Sequence, residues 1–241
     1  MELHLSVSGA LTGDMFIAAV LDAFPHHEER VVAAIDAVDA RHPVACALLG
    51  HVDVEVSGQR FEIVPFEKYF GIIPFAFPRE GVTWDAVAEW LRAAEIKPAV
   101  RAHAAKVFEL IAKAESGTAV LGAAAELTPW YVTSQVVGAA ALIDALGPVR
   151  WTVSPSNEGT AATLTAAAIL DYLCPARNRS QPLPRMRSLT RSGIGFGSPP
   201  ATNTYLRLLC FDEGSAALAA PDMSAQVPMP VDGSTGQRPA Q

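Results

Sequence analysis

Cysteine is scarce in this chain. Its three thiols, Cys46, Cys174 and Cys210, lie far apart and form no CxxC pair. That pattern speaks against a disulfide framework and predicts buried thiols in a reducing cytoplasm. Long apolar runs are missing too: no stretch is long enough to span a bilayer, so no membrane role is expected. No basic segment leading into an apolar one opens the chain, so no signal peptide is expected. Charge is thin at 18% of residues, with a net value of −7. That balance disfavours nucleic acid as a partner. There is no GxSxG elbow, no HExxH and no Walker motif. Among six histidines only His26 and His27 are adjacent, and they follow Pro25 in a turn-like segment that reads as solvated.

Half of the 241 residues are hydrophobic, enough for a substantial core. The most telling stretch is Ser8 to Asp22. Leu3, Leu5 and Val7 alternate along a strand that runs into a turn containing Gly9 and Gly13. Thr12 is placed to cap the helix that follows, with Asp14 in its first turn, where a carboxylate suits the dipole. Phe16, Ile17, Val20 and Leu21 form that helix's buried face. A second helix is predicted from Glu28 to about Asp39. A hairpin follows, with strands over Val44–Val56 and Gln59–Val64 about a turn at Ser57-Gly58.

Further helices are predicted from Thr83 to Ala94, from Pro98 to Glu115, from Val132 to Leu146 and from Ala161 to Tyr172. A strand is expected at Trp151–Val153. Gly193–Gly197 and then Thr204–Phe211 suggest a final strand pair, with the spaced glycines read as a bend between strands. The mixed order without regular βαβ alternation predicts an α+β fold, with mixed or antiparallel sheets packed against helices. One domain is expected over 1–213, with 95–150 as the place where two subdomains would meet. Residues 214–241 read as a disordered tail.

Chemistry concentrates in a few places. Glu62 and Glu67 flank the hairpin exit beside Phe61, Phe66 and Tyr69. A carboxylate half-buried there would have a raised pKa and could act as general acid or base; an exposed strand face is the plainer alternative. Asp14 is a third candidate catalytic carboxylate, and helix capping is its other reading. Arg60 could hold a substrate carboxylate by a bidentate contact, or pair with a neighbouring acid. The segment Glu67–Pro78 carries Tyr69, Phe70 and Phe75 between prolines. Such an apolar loop must pack on the core, cover a pocket or meet a second subunit. Trp130 and Tyr131 could stack on an aromatic ligand or fill the core. His4 and His51 sit on strands near this pocket.

Three blocks carry a family resemblance. They are Gly9–Pro25 with Gly13-Asp14-Met15 at its centre, Val100–Gly147 with Val137-Gly138-Ala139-Ala140-Ala141, and Thr163–Phe211 with Arg191-Ser192-Gly193-Ile194-Gly195-Phe196-Gly197. The chain resembles the LarC family, nickel-insertion proteins that complete a nickel-pincer nucleotide cofactor. The resemblance implies the family's N-terminal-domain fold and a role in delivering nickel. The family's histidine-rich segment is replaced here by Tyr69–Pro78, and its His-Glu motif by Leu127–Gln135. Where the family would supply polar ligands, this chain has Trp130, Tyr131 and Gln135. A nickel site needs imidazole, thiolate or carboxylate ligands, and an apolar pocket suits organic molecules better.

The expected function is therefore a metal-free enzyme on a LarC-like scaffold, with no cofactor, acting on an aromatic small molecule by carboxylate acid/base chemistry. An amine–carbonyl condensation or cyclisation of the Pictet–Spengler type fits such a site. The alternatives are nickel insertion, with nickel as the metal handled, and a non-catalytic binding subunit. A homodimer through residues 69–78 is the expected assembly.

Overall fold

The computed structural model describes residues 1–38, 44–53, 55–65, 82–116, 126–127, 130–154, 162–175, 188–201 and 204–212. Eight strands are defined in that set: β1 (Glu2–Ser8), β2 (Val44–Asp53), β3 (Ser57–Pro65), β4 (Val82–Thr83), β5 (Glu126–Leu127), β6 (Arg150–Val153), β7 (Leu189–Ala201) and β8 (Thr204–Phe211). The helices are α1 (Gly13–Ala23), α2 (Glu28–Val38), α3 (Trp84–Ala93), α4 (Pro98–Ser116), α5 (Trp130–Leu146) and α6 (Leu164–Leu173). Six strands form one mixed sheet in the order β2-β3-β7-β8-β1-β6, and β4 and β5 form a separate two-stranded ribbon. The pairs β1–β6 and β3–β7 are parallel, while β1–β8, β2–β3 and β7–β8 are antiparallel. The architecture is the expected α+β class.

Helix α1 sits at the centre of this arrangement. It lies on the sheet over β3, β7 and β8, and α5, α6 and the turn after it pack on its other side. Ten of its eleven residues are buried, all but Asp22. A helix buried all round belongs to a core rather than to a surface stripe. Phe16, Ile17, Val20 and Leu21 are each 2% exposed or less, and full burial of such a side chain stabilises by about 1.5–3 kcal/mol.

The face of the sheet that meets α1 is defined by strand alternation. Leu3 and Leu5 on β1, Phe61 on β3, and Leu206, Leu208 and Cys210 on β8 all belong to the core cluster. The alternate residues, among them Glu2, His4, Arg60, Glu62 and Phe196, lie on the opposite face.

The run Gly193–Gly197 is not a bend between strands. It lies inside β7, paired to β8 and, at Gly195 and Phe196, to β3. A Cβ on Gly193 would meet the backbone of α1 at Ala19 O and, at 2.7 Å, Ala23 N. One on Gly195 would meet Met15 O and, at 2.5 Å, Ala19 N. Neither glycine has a positive φ. These positions lack a side chain because a helix backbone occupies the space, not because the chain turns there. Asp22, partly buried in the last turn of α1, reinforces the contact by accepting the Ile194 N–H at 2.8 Å.

The hairpin also differs from expectation. Strand β3 begins at Ser57, which pairs with Asp53, so Ser57 and Gly58 lie within the strand and the turn comes before them. The Ser57 hydroxyl donates to Asp53 Oδ1 at 2.6 Å across that turn. The side-chain closure outweighs the Ser-Gly signal, and Gly58 instead sits where a Cβ would strike Ile194 of β7. At the helical end, Arg101 reaches back from α4 to cap α3. Its guanidinium donates to Leu91 O at 2.7 Å and Ala94 O at 3.0 Å, satisfying carbonyls left open at the helix terminus.

Candidate functional site

Parallel strands β1 and β6 lie side by side, and both chains leave the sheet at the same edge. The turn after β1 uses Gly9 with φ +68° to enter α1. The chain after β6 approaches α6 alongside it. Leu11 and Ala162 form an isolated parallel bridge, and the Thr163 N–H donates to Leu11 O at 2.9 Å. Thr163 then caps α6, its hydroxyl accepting the Ala166 N–H at 3.3 Å. Two helix N-termini therefore converge beyond the carboxyl ends of two parallel strands. Open sheets with helices bind ligands at such edges, and the convergent N–H groups favour negative charge.

Helix α5 closes the junction from above. Four polar side chains on the three helices gathered here are almost fully buried: Asp14 from α1, Ser134 and Gln135 from α5, and Thr165 from α6, each 5% exposed or less. Gly13, next to Asp14, leaves room for Gln135 and Thr165 to approach α1. A Cβ on it would lie 2.5 Å from Gln135 Oε1 and 3.2 Å from Thr165 Cγ2. Beside it, Met15 Sδ accepts the Thr12 N–H at 3.3 Å. Thr12 stands at the N-cap of α1, as the sequence suggested, with Met15 three residues on as its capping partner, and its hydroxyl is buried. Thr12 also faces Gly197 of β7, 3.2 Å from where a Cβ would stand.

The predicted site residues divide between the two faces of the sheet. Asp14 lies at the junction. Arg60 and Glu62 lie together on the opposite face and pair at 3.2 Å, each about one third exposed. That is the neighbouring-acid reading for Arg60. Its Nε is buried with no hydrogen-bond partner among the described residues. His51 is exposed on β2, opposite Gln59 near the hairpin end, two strands beyond β7. His4 is also on the opposite face, three strands from Arg60. Glu67, Tyr69, Phe70 and Phe75 lie outside the described residues. Trp130 and Tyr131 open α5, but their side chains lie outside the described set too.

Sequence reasoning did not bring Ser134 and Thr165 into the site. Their signal was present. Ser134 and Gln135 are adjacent polar residues in a largely apolar helix, and Thr165 lies in the first turn of another.

His4 is engaged at both ring nitrogens. Nδ1 lies 2.9 Å from Thr152 Oγ1, and Nε2 lies 2.8 Å from Ser154 Oγ. Burial pushes its pKa below the usual histidine value, against the raising effect of Glu2. The unfolded chain therefore takes up a proton as pH falls through the ordinary histidine range, before the folded protein does. Folded-state stability is complete above that range and declines as pH falls through it toward the lowered native pKa. Thermal melts between pH 7.5 and 5.5 are expected to fall more steeply for the wild type than for His4→Gln. Parallel curves would show that His4 does not govern this window. Burial also raises the Cys210 thiol to about 11, so this cysteine is an inert core residue rather than a nucleophile.

Among the described residues no three His, Cys, Asp or Glu side chains come together, and no helix is long and apolar enough to cross a membrane. Fold and site thus define an α+β protein with a buried polar junction at the carboxyl edge of parallel strands. Residues 3–165, about two thirds of the chain, match the family model described as nickel insertion protein. The chain belongs to this family, the LarC family that its glycine-rich turn and VGAAA helix resemble. No curated protein and no solved structure matches it.

Proposed function

We propose that this protein handles nickel during completion of a nickel-pincer nucleotide cofactor, with the junction around Asp14 holding the organic partner while nickel passes as cargo. The family match over 3–165 carries this reading, because it spans the β1–α1 turn, Ser134, Gln135 and Thr165. The converging helix N-termini suit an anionic group such as a phosphate. The amide of Gln135 and the hydroxyls of Ser134 and Thr165 suit the polar edges of a heterocycle or sugar. Asp14 is the one carboxylate of the four. One carboxylate among neutral oxygens grips nickel weakly, since nickel favours imidazole and thiolate ligands. A weak grip suits an ion that must be passed on.

Titration of the full chain with Ni²⁺ is expected to show one readily exchangeable site. Asp14→Asn, with an unchanged circular dichroism spectrum, is expected to weaken it by about 10–100-fold, the usual cost of disturbing a metal's ligand environment. A wild-type chain that binds no nickel overturns this reading. That outcome favours a second one, in which the protein is a metal-free enzyme condensing an amine with a carbonyl compound around an aromatic substrate. The half-buried Arg60–Glu62 pair supports the second reading, as a cation to hold a substrate anion and a carboxylate to move protons.

A further inference from the structure

On the sheet face away from α1, three hydrogen-bonded side chains form a chain that the junction does not use, and Glu2 lies on the same face, paired with Arg150 at 3.7 Å. Glu2 and His4 come from β1, Thr152 from β6 and Ser154 from the residue just after it. Their burial is graded. Glu2, His4 and Thr152 are 1%, 2% and 3% exposed, whereas Ser154 is only partly buried and stands at the accessible end. Register places His4 directly beside Thr152 across the parallel pair. The imidazole bridges the two hydroxyls, at 2.8 Å to Ser154 Oγ and 2.9 Å to Thr152 Oγ1. Ser154 is held in place by its own backbone, whose N–H donates to Leu5 O at 2.8 Å.

We propose that Ser154 is an activated nucleophile that accepts an acyl group from an ester or thioester, with His4 as its general base and Thr152 as the residue that orients His4. With its proton on Nδ1, directed at the Thr152 oxygen, the imidazole presents Nε2 as an acceptor for the Ser154 O–H. A hydroxyl, a base within hydrogen-bond reach and a third group fixing the base make up the arrangement that activates serine nucleophiles. Glu2, on the same face two residues away, favours the imidazolium that forms when His4 takes the proton.

In the first step the Ser154 Oγ–acyl bond forms as its proton moves to Nε2. The bond from the acyl carbon to the alkoxide or thiolate then breaks, and the leaving group takes the proton from His4. Water, deprotonated by the same nitrogen, cleaves the acyl-serine. The products are a carboxylic acid and the free hydroxyl. The buried, neutral state of His4 keeps the base available down to pH values where an exposed histidine would be protonated.

The test is covalent labelling of the full chain with a fluorophosphonate probe, in which an Oγ–phosphorus bond forms and fluoride leaves. Intact-protein and peptide mass spectrometry are expected to show one adduct per chain, on Ser154, and none in Ser154→Ala. The labelling rate is expected to rise with pH through an inflection below the ordinary histidine value. It should fall by about 100-fold or more in His4→Gln, in line with loss of a general base. Thr152→Val covers the case in which His4→Gln fails to fold. It is expected to slow labelling by about tenfold and to move the inflection, which a merely structural threonine would leave in place. A folded wild type with no adduct on Ser154 overturns the proposal. So does labelling whose rate and pH profile are the same in wild type, His4→Gln and Thr152→Val.

Discussion

Gly195→Ala is expected to lose about 3 kcal/mol or more of folding stability, at or beyond the upper end of what overpacking a core usually costs. For a chain of this size that is a fall in melting temperature on the order of 10 °C. The added methyl would meet Met15 O and Ala19 N of α1, both backbone atoms of a fully buried helix, and Ala18 Cβ at 3.0 Å. A flexible side chain could swing away, but the helix backbone cannot. It is held between the sheet on one side and α5 and α6 on the other. Moving α1 by the required distance would also shift Gly13 against Gln135 and Thr165.

Gly197→Ala is the control, two residues along the same strand. There the new methyl meets Thr12 Oγ1 at 3.2 Å and the Met15 side chain at 3.6 Å, neighbours that can give way. Its expected cost is below about 1 kcal/mol. Equal losses in differential scanning calorimetry would mean that these glycines serve conformation rather than close approach.

The same contact shows where sequence reading stops. Strand β1, helix α1 and helix α2 were legible because each is determined by local pattern: alternation of Leu3 and Leu5, the apolar period from Phe16 to Leu21, and the break at Pro25. The hairpin was legible for the same reason, although its turn was misplaced. The Asp53–Ser57 side-chain bond spans only four residues, but the Ser57-Gly58 dipeptide carries the stronger turn signal and drew the turn onto itself. Gly193–Gly197 misled in a more instructive way. Glycine weakens a strand and marks turns, so the run reads as a bend. Only the position of α1, more than 170 residues earlier in sequence, supplies the reason for its composition.

The site divided along the same line. Asp14 was found because it sits in the local motif at the start of α1. Ser134 and Thr165 were missed because nothing local ties them to Asp14. Gln135 was singled out through the family resemblance, and the structure brings it against Gly13. Arg60 and Glu62 were correctly read as neighbours, since residues two apart on a strand share a face. That they lie on the opposite side of the sheet from Asp14 follows from the burial of Phe61 between them, which separates the two groups of candidates into distinct chemical environments.

Phe16→Ala should cost about 3–5 kcal/mol, the range for removing a large aromatic side chain from a packed core. Phe16 is 2% exposed, and its ring lies 5.8 Å from that of Trp151 on β6. It is therefore a contact through which α1 holds the edge strand of the sheet. The tilted aromatic pair contributes about 0.5–1.5 kcal/mol beyond buried area, within that total. Phe16→Leu keeps most of the volume and is expected to cost about 1.5 kcal/mol or less.

The pair of variants also tests how the junction is supported. Among the described residues strand β6 is joined to the sheet only through β1, and the chain leaving it carries Ser154 and leads on to Thr163 and α6. Loosening β6 should therefore weaken ligand binding at the Asp14 junction in proportion to the lost stability. Phe16→Ala is expected to expose amides of β6 and the Leu11–Thr163 contact to hydrogen exchange, while those of the β2–β3 hairpin stay as protected as in the wild type up to the global limit. Uniform loss of protection across both regions would mean that α1 ties the whole sheet into one cooperative unit rather than securing this edge.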